Sequence, residues 1–360
     1  MKRNGVMAKI NAENERIKHQ YFEFLKQANG RSEATIGHIE RAIRKFEEAM
    51  KYVSFKSFDQ KQAIQFKDKM GETELALASI LSILRYVQSF FKWLALQSGY
   101  KRKIRLTDVE YFNLSDRDVR AASTPAEKKF PTLKMIVKVV NNMPTSTGLE
   151  LRNRALIAFT AITGIRDGAT ISLKLKHFDV SMRRVRQDPK EVATKNRKLI
   201  TTFLFPLDDS LEQIVLDWVS YLREEVLFAD HDPLFPSTIR TLDENDCFIA
   251  GGLSKEHWSN ANSIRKIFKT AFLAVDLSPF TPHLFRNMIV SEAYLRGLSV
   301  AQFKAWSQNL GHEGAMTTLT SYGTLSLHDQ AELVRKSGQG SKDRPKVLEE
   351  IMAILDANKE

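Results

Sequence analysis

Three short segments of the sequence carry side chains suited to gripping an anionic oxygen or moving a proton. Arg166 follows Gly164 at the end of an apolar helix, where it would stand at the start of the next helix, an end that favours phosphate. His283 and Arg286 are three residues apart, so on one helix they share a face and can point at one ligand. His312 ends a Leu-Gly-His triplet. Taken singly, each segment is common, and a surface arginine after a helix stop is the simplest interpretation of the first.

A tyrosine, Tyr322, stands ten residues after His312. A phenol has a pKa of about 10 and is mostly protonated at neutral pH, so as a nucleophile it needs a neighbouring group to take its proton. A lone tyrosine in this part of a chain is usually a packing residue. The order of the segments, with apolar helices between them, is more specific than any one of them.

Several other chemistries lack their sequence signatures. The chain has no G-x-x-x-x-G-K-[ST] phosphate loop and no C-x-x-C pair, and His312-Glu313 does not continue into a zinc-protease motif because Met316 occupies the position of the second histidine. We therefore expect neither a metal nor a nucleotide cofactor. The one cysteine, Cys247, excludes an internal disulfide and fits a reducing cytosol.

The order Arg, His-x-x-Arg, Leu-Gly-His and Tyr resembles the tyrosine recombinase (phage integrase) family. The resemblance covers the whole chain, and its specific parts are four segments: Thr163–Arg166, Ser172–Asp179, His283–Arg286, and Leu310–His312 through Tyr322. It implies a site-specific recombinase or integrase that cleaves and rejoins DNA through a covalent 3′-phosphotyrosine, without ATP or metal. Because that intermediate keeps the bond energy of the cut strand, missing nucleotide and metal motifs are what the mechanism expects.

The resemblance also implies a role for each residue of the site. Tyr322 is the nucleophile, and His283 helps to take its proton. Arg166 and Arg286 grip the phosphoryl oxygens, which gain negative charge in the transition state and which a guanidinium can bind bidentately. His312 hydrogen-bonds a non-bridging oxygen.

In this family a lysine in the turn between two strands gives a proton to the departing 5′-oxygen. Lys195, just before the predicted strand Leu199–Phe205, is the favoured candidate. Lys190 and Lys198 remain alternatives, because the sequence does not fix the register of the hairpin.

Some positions depart from the family pattern. Ala169 occupies the place of an acidic residue usually found three positions after the first arginine, and Asp167 is the nearest acid. Asn287 replaces the histidine that commonly follows the second arginine, and the gap from His312 to Tyr322 is one residue longer than usual. No catalytic group is lost, and these departures favour a mobile-element integrase.

Hydrophobic periodicity and breakers predict a mainly α fold with a small antiparallel β-sheet. The resemblance divides it into an all-helical core-binding (SAM-like) DNA-binding domain at 1–115, a linker at 116–130, an α+β catalytic domain at 131–340 and a helical tail at 341–360. The predicted helices are 12–28, 32–52, 59–70, 77–94, 133–143, 151–162, 169–175, 210–225, 261–275, 283–296, 300–310, 326–336 and 345–358. Short strands are expected around Val180, Met182 and Val185 and again over Leu199–Phe205.

Charge indicates the partner class. The formal net charge is +11 and the pI is about 9.5, which suits a polyanion, although charge alone is a weak signal. The resemblance implies double-stranded DNA carrying specific recombination sites, a homo-oligomer that is a tetramer in the synapse, and accessory DNA-bending or directionality proteins. No apolar run is long enough to span a membrane, and we expect a cytoplasmic, nucleoid-associated protein.

Three alternatives remain open beside the mobile-element recombinase. They are a chromosome-dimer resolvase of the Xer type, a type IB topoisomerase with the same nucleophile but no site-specific synapsis, and a catalytically inactive DNA-binding relative. The helical N-terminal domain argues against the topoisomerase. Competent residues at every catalytic position argue against the inactive relative.

Overall fold

The computed structural model describes residues 10–123, 129–194, 197–244 and 246–312. The chain divides into two compact units, Met1–Thr124 and Pro125–Glu360. The predicted fold class is confirmed: both units are mainly helical, and the second also contains small antiparallel sheets. The predicted helices 326–336 and 345–358 lie outside the described residues. No helix in the described part of the chain is long and apolar enough to cross a membrane.

The first unit is entirely helical over its described residues. Several of its helices begin at a side-chain cap: Asn11, Ser32 and Asp59, for example, each accept from backbone N–H groups of the first turn. The helices are α1 (Ala12–Gln27), α2 (Glu33–Ala49), α3 (Gln60–Gly71), α4 (Leu77–Leu94), α5 (Leu106–Val109) and α6 (Asp116–Ser123).

An aromatic cluster forms the core of this unit. Phe46 on α2 meets Phe66 on α3 and Phe91 on α4 edge to face, with ring centroids 5.2 and 5.0 Å apart. Edge-to-face pairs stabilise beyond the area they bury. The predicted helix 77–94 is confirmed as α4, and one apolar stripe of it faces this core, because Ile80, Leu84, Val87, Phe91 and Leu94 are all buried.

The stretch predicted as a linker contains α6. Ser115 caps this helix by accepting from the Asp118 backbone N–H at 3.1 Å, and no residue of α6 is buried. Its polar sequence, which suggested a linker, is therefore that of an exposed surface helix. The part of the predicted linker at 116–123 is helical.

The second unit is built around α8, whose residues 155–163 are all buried. A capping box between Thr147 and Glu150 starts this helix, and Gly164 ends it in the left-handed conformation. The helices of the unit are α7 (Leu133–Asn141), α8 (Gly148–Thr163), α9 (Asp167–Thr170), α10 (Asp209–Ser220, extended by a π turn at Tyr221–Glu225), α11 (Asn262–Leu273), α12 (Leu284–Leu295) and α13 (Val300–Asn309).

The predicted helix Ala169–Leu175 is wrong. The α-helix there is α9, which ends at Thr170 and so covers only two residues of the predicted range, and a 3-10 turn follows at Leu175–His177. Leu175 donates its N–H to Asp232 O at 3.0 Å, and Leu173 O accepts from Leu234 N–H at 2.9 Å. These long-range backbone hydrogen bonds replace those that a helix would have made.

A three-stranded antiparallel sheet follows α9. Strands β1 (Phe178–Asp179), β2 (Arg184–Gln187) and β3 (Ile200–Phe203) lie in chain order, and β2 pairs with β3 through Gln187 opposite Ile200. Val180 and Met182, which the sequence placed in a strand, lie in the exposed turn between β1 and β2. The Asp179 carboxylate forms this turn by accepting from the Met182 N–H at 3.0 Å.

A second hairpin was not predicted. Strands β4 (Thr238–Leu242) and β5 (Phe248–Leu253) pair antiparallel, with an irregularity between Ile239 and Arg240. Four of the five residues of β4 are exposed, so the strand lacks the alternation of buried and exposed residues that sequence analysis relies on.

Candidate active site

The turn at residues 164–166, which we call the Arg166 turn, begins where α8 ends. Gly164 has φ +60°, and a Cβ there would lie 2.7 Å from Leu310 Cδ2 and 2.9 Å from Ile289 Cδ1. Glycine is thus required both by the backbone conformation and by the close approach of two side chains. Arg166 stands at the N-cap of α9 and is partly exposed. Among the described residues, its guanidinium has no hydrogen-bonding partner.

Arg286 connects the segments of the site. Its side chain is 2% exposed and donates to Gly164 O, to Leu310 O at 2.6 Å and to His312 Nε2 at 2.9 Å. One buried guanidinium therefore joins α12, the end of α8 and the end of α13. Such a cation in a low-dielectric site attracts an anion strongly.

His312 is nearly buried beside two arginines. Burial, and then the positive charges of Arg286 and Arg166, lowers the pKa of His312 to about 3. The ring is therefore neutral at pH 7. Because Nε2 accepts from Arg286, the proton of the neutral ring is on Nδ1.

The end of α13 is held against strand β3, which fixes the position of His312. The Asn309 side chain donates to Phe203 O at 2.9 Å and accepts from the Phe203 N–H at 2.7 Å. The Thr202 hydroxyl donates to Asn309 O at 3.0 Å. Gly311, at φ +73°, lies so close to Ile200 that a Cβ would come within 2.9 Å of Ile200 Cδ1.

His283 stands at the start of α12 and is exposed. Its backbone is already helical, and its carbonyl accepts from the Arg286 N–H at 3.2 Å. The spacing predicted from sequence therefore holds in the structure, with both residues on one helical turn.

The lysine candidates belong to the loop between β2 and β3, residues 188–199, which we call the lysine loop. Lys190 and Lys198 lie in it and are exposed. Lys195 and the nucleophile candidate Tyr322 lie outside the described residues. The structure thus brings together Arg286, His312 and the Arg166 turn, and places His283 on the helix that carries Arg286.

An ion pair beside Arg166 was not predicted. The Asp167 carboxylate accepts from Arg265 Nε on α11 at 2.8 Å and from the Gly168 N–H at 2.9 Å. From sequence, Asp167 is only the acid nearest to the first arginine, and nothing marks Arg265 as its partner. Their pairing across about a hundred residues has no local sequence signal.

The comparisons with known proteins agree on the family. The profile of the phage integrase family matches residues 131–326, and that of its N-terminal SAM-like domain matches residues 19–98. The first match alone covers more than half of the chain. The protein belongs to the phage integrase family of tyrosine recombinases, which makes it an enzyme of site-specific recombination that breaks and rejoins DNA.

Individual relatives are distant but similar over most of their length. Tyrosine recombinase XerD of Staphylococcus epidermidis (strain RP62A) is 24% identical over 330 residues, which are 89% of this chain and 96% of the relative. A Tn1549 transposon integrase fragment in complex with transposon right end DNA has a TM-score of 0.58 at 15% identity, covering 90% of this chain and 99% of that chain. A lambda integrase dimer bound to a COC′ core site has a TM-score of 0.57 at 15% identity, covering 86% and 95%. These structures show that the fold is shared.

Proposed function

We propose that this recombinase cuts one strand with Tyr322, holds it as a 3′-phosphotyrosine and passes it to a new 5′-hydroxyl, with Arg166, Lys195, His283, Arg286 and His312 as the other catalytic residues. The observation that carries the proposal is the junction made by Arg286, which unites the Arg166 turn and His312 in one cationic site. Such a site suits a phosphodiester, whose transition state gains negative charge on its oxygens.

The strand transfer conserves both bonds and protons. Tyr322 Oη attacks the phosphorus, and the P–O5′ bond breaks as the P–O(tyrosyl) bond forms. The phenolic proton passes towards His283, while Lys195 gives a proton to the departing 5′-oxygen. In the second half, a 5′-hydroxyl attacks the phosphotyrosine and the same groups act in reverse, so no external energy source enters.

The neutral state of His312 bears on its role. In the free enzyme Nε2 accepts from Arg286. To donate from Nε2 to a non-bridging oxygen, the ring must take the other tautomer, and Arg286 must turn that donor towards the phosphate. Both changes are local, and an entering phosphate would supply the acceptor for both groups.

The larger organisation follows from the same proposal. Residues 1–115 act as the core-binding domain and 131–340 as the catalytic domain, with the tail 341–360 beyond them. The partners are double-stranded DNA with specific sites, further copies of this chain in a tetrameric synapse, and accessory DNA-bending or directionality proteins. The place of action is the nucleoid in the cytoplasm, and the proposed substrate is a mobile element.

A second candidate is a chromosome-dimer resolvase of the Xer type. Its support is the similarity to XerD over 89% of this chain. The departures at Ala169 and Asn287 favour the mobile element. DNA junctions flanking the protein's own gene should recombine if it serves a mobile element, whereas a resolvase should act on a chromosomal site instead.

A two-site plasmid tests the proposed function. A supercoiled plasmid carrying two copies of the junction sequence as direct repeats is incubated with the protein in EDTA without ATP, beside a plasmid that lacks the sites. Recombination predicts a deletion circle from the first plasmid only. Relaxation of both plasmids without a deletion circle would indicate a topoisomerase, and binding without strand breakage would indicate an inactive relative.

A further inference from the structure

The lysine loop is held by one of its own residues, Glu191. Its carboxylate accepts from Lys176 Nζ at 2.8 Å and from Lys174 Nζ at 3.2 Å. His177 Nε2 lies 3.3 Å from the same carboxylate. His177 Nδ1 accepts from the Lys174 N–H at 3.0 Å, so its Nε2 carries the proton and donates to Glu191. One carboxylate thus receives three side-chain donors.

A second tether lies two residues further along the loop. The Ala193 N–H donates to the Ser172 hydroxyl at 2.9 Å, and that hydroxyl donates in turn to Ala169 O at 2.8 Å. The hydroxyl therefore connects the backbone of the lysine loop to the backbone at the end of α9. Lys195 follows Ala193 by two residues in the chain.

Both tethers lead to the same stretch of chain, residues 169–177, which begins three residues after Arg166. Its backbone is anchored to the core, because Leu173 and Leu175 are fully buried and their backbones hydrogen-bond to residues 234 and 232, respectively. Glu191 and Ser172 thus connect the lysine loop to the fixed segment that presents Arg166.

We propose that Glu191 and Ser172 are positioning residues for proton donation to the 5′-oxygen: they hold the lysine loop so that its catalytic lysine reaches the leaving group of a phosphate bound at Arg166. The inference rests on the proposed function. It applies equally to Lys190, Lys195 and Lys198, because all three lie in this loop.

The two tethers matter because proton transfer requires a short distance. A proton donor must lie within about 3 Å of the oxygen that it protonates. A misplacement of about 1 Å can cost roughly 100-fold in rate. The lysine loop joins β2 and β3 through twelve residues, so its strands alone would leave its middle poorly fixed.

A sulfur-bridged substrate separates proton donation from the rest of the reaction. In a nicked DNA with sulfur in place of the scissile 5′-oxygen, the P–S bond breaks to release a thiolate. A thiolate is a stable leaving group near neutral pH and needs no proton from the enzyme. Loss of the proton donor should therefore slow cleavage of the oxygen substrate and leave the sulfur substrate almost unaffected.

The test compares single-turnover cleavage of both substrates by the full-length protein. We expect Glu191→Ala to slow cleavage of the oxygen substrate by about 10- to 100-fold and cleavage of the sulfur substrate by less than about 3-fold. Ser172→Ala should show the same pattern with a smaller loss, and it keeps the test valid if Glu191→Ala folds poorly. Glu224→Ala removes an exposed carboxylate elsewhere in the unit and is the matched control.

Two further variants distinguish this inference from the proposed function. Alanine at the lysine that donates the proton, which is Lys195 in the proposed function and otherwise Lys190 or Lys198, should be rescued by sulfur, and Tyr322→Phe should cleave neither substrate. If one lysine variant is rescued while Glu191→Ala and Ser172→Ala cleave both substrates equally slowly, the positioning role is wrong and the tethers are merely structural. Cleavage of either substrate by Tyr322→Phe would instead overturn the proposed function.

Discussion

The Arg286 guanidinium donates to His312 Nε2 across 2.9 Å, and the two side chains are 2% and 7% exposed. Twenty-six residues separate them in the chain. The contact places a permanent cation against an imidazole that must stay neutral to accept the hydrogen bond. The same guanidinium satisfies the carbonyls of Gly164 and Leu310, so Arg286 is part of the fold as well as of the site.

The two arginines of the site should therefore respond differently to the same substitution. Arg286→Lys replaces the guanidinium, whose N–H groups donate to two carbonyls and to His312, with a single ammonium group. We therefore expect both a lower free energy of unfolding and a cleavage rate lower by about 100-fold or more. Arg166→Lys should lower the cleavage rate by a similar factor, with little change in the free energy of unfolding. Urea unfolding and single-turnover cleavage measure the two effects. Equal losses of stability in both variants would contradict the structural role of Arg286.

The neutral His312 predicts how stability depends on pH. Its pKa is about 3 in the folded protein, against an ordinary value of 6.5. Between these values the unfolded chain binds a proton that the folded chain does not. The contribution of His312 to the free energy of unfolding is therefore fully present above pH 6.5. It falls as the pH drops towards 3, by at most about 1.4 kcal/mol per pH unit.

His312→Gln checks this prediction, because glutamine can still accept from Arg286 but does not titrate. The variant should lose less stability than wild type between pH 7 and pH 4, measured by urea unfolding at each pH. His231→Gln, which removes an exposed histidine, is the control. Parallel pH profiles for wild type and His312→Gln would rule out a buried neutral His312.

Gly164 should not tolerate a side chain. Alanine there would have to adopt φ near +60° and would meet Leu310 and Ile289 at less than 3 Å. We expect Gly164→Ala to lower the free energy of unfolding by about 2–4 kcal/mol. It should also slow cleavage, because the carbonyl that anchors Arg286 would move.

Gly168→Ala is the matched control for this substitution. A Cβ at Gly168 would meet nothing within 4 Å, and its φ is not positive. The change should raise the free energy of unfolding by about 0.4–1 kcal/mol, because alanine restricts the unfolded chain and fits the helical backbone of α9. Similar effects of the two substitutions would show that close packing at Gly164 is not what the site requires.

A buried ion pair should matter in the first unit. Lys18 on α1 donates to the Glu47 carboxylate on α2 at 2.6 Å, and the Glu47 side chain is 1% exposed. Lys18→Met leaves that carboxylate buried without its cation, and we expect a loss of about 3 kcal/mol in the free energy of unfolding. Thermal and urea unfolding of the full chain measure the change.

Two variants test whether the loss comes from the unpaired carboxylate. Lys26→Met breaks the exposed pair with Glu33 and should cost less than about 1 kcal/mol. Lys18→Met combined with Glu47→Leu should recover most of the stability. A double variant as unstable as Lys18→Met alone would refute the electrostatic explanation.

Much of the fold follows from sequence where a buried face repeats at helical spacing. The stripe of α4, the caps of α2 and α3 and the buried run of α8 all have local causes, and the structure has them within a few residues of the predicted bounds. The length of α9 was overestimated because the residues after it form backbone hydrogen bonds with residues 230–234, which are distant in the chain. The exposed hairpin of β4 and β5 had no apolar alternation to reveal it.

The site could be predicted only in part for a similar reason. The order of Arg166, His283, Arg286 and His312 is visible in the sequence, and the resemblance assigns their roles. The groups that hold them in place are mostly backbone carbonyls, such as those of Gly164 and Leu310, which carry no residue signature. The pairs Asn309–Phe203 and Asp167–Arg265 form between distant segments and likewise leave no local pattern.

Tyr322 becomes covalently linked to DNA in the proposed reaction, and one measurement tests that linkage most directly. Wild type, Tyr322→Phe and Tyr294→Phe are incubated in EDTA with a nicked suicide substrate that traps the cut strand, then denatured in SDS. Trimming the DNA and mapping the modified peptide by mass spectrometry locates the linkage. We predict adducts with wild type and Tyr294→Phe, attached to the peptide containing Tyr322, and none with Tyr322→Phe. An adduct that persists in Tyr322→Phe, or that maps to another residue, would contradict the account.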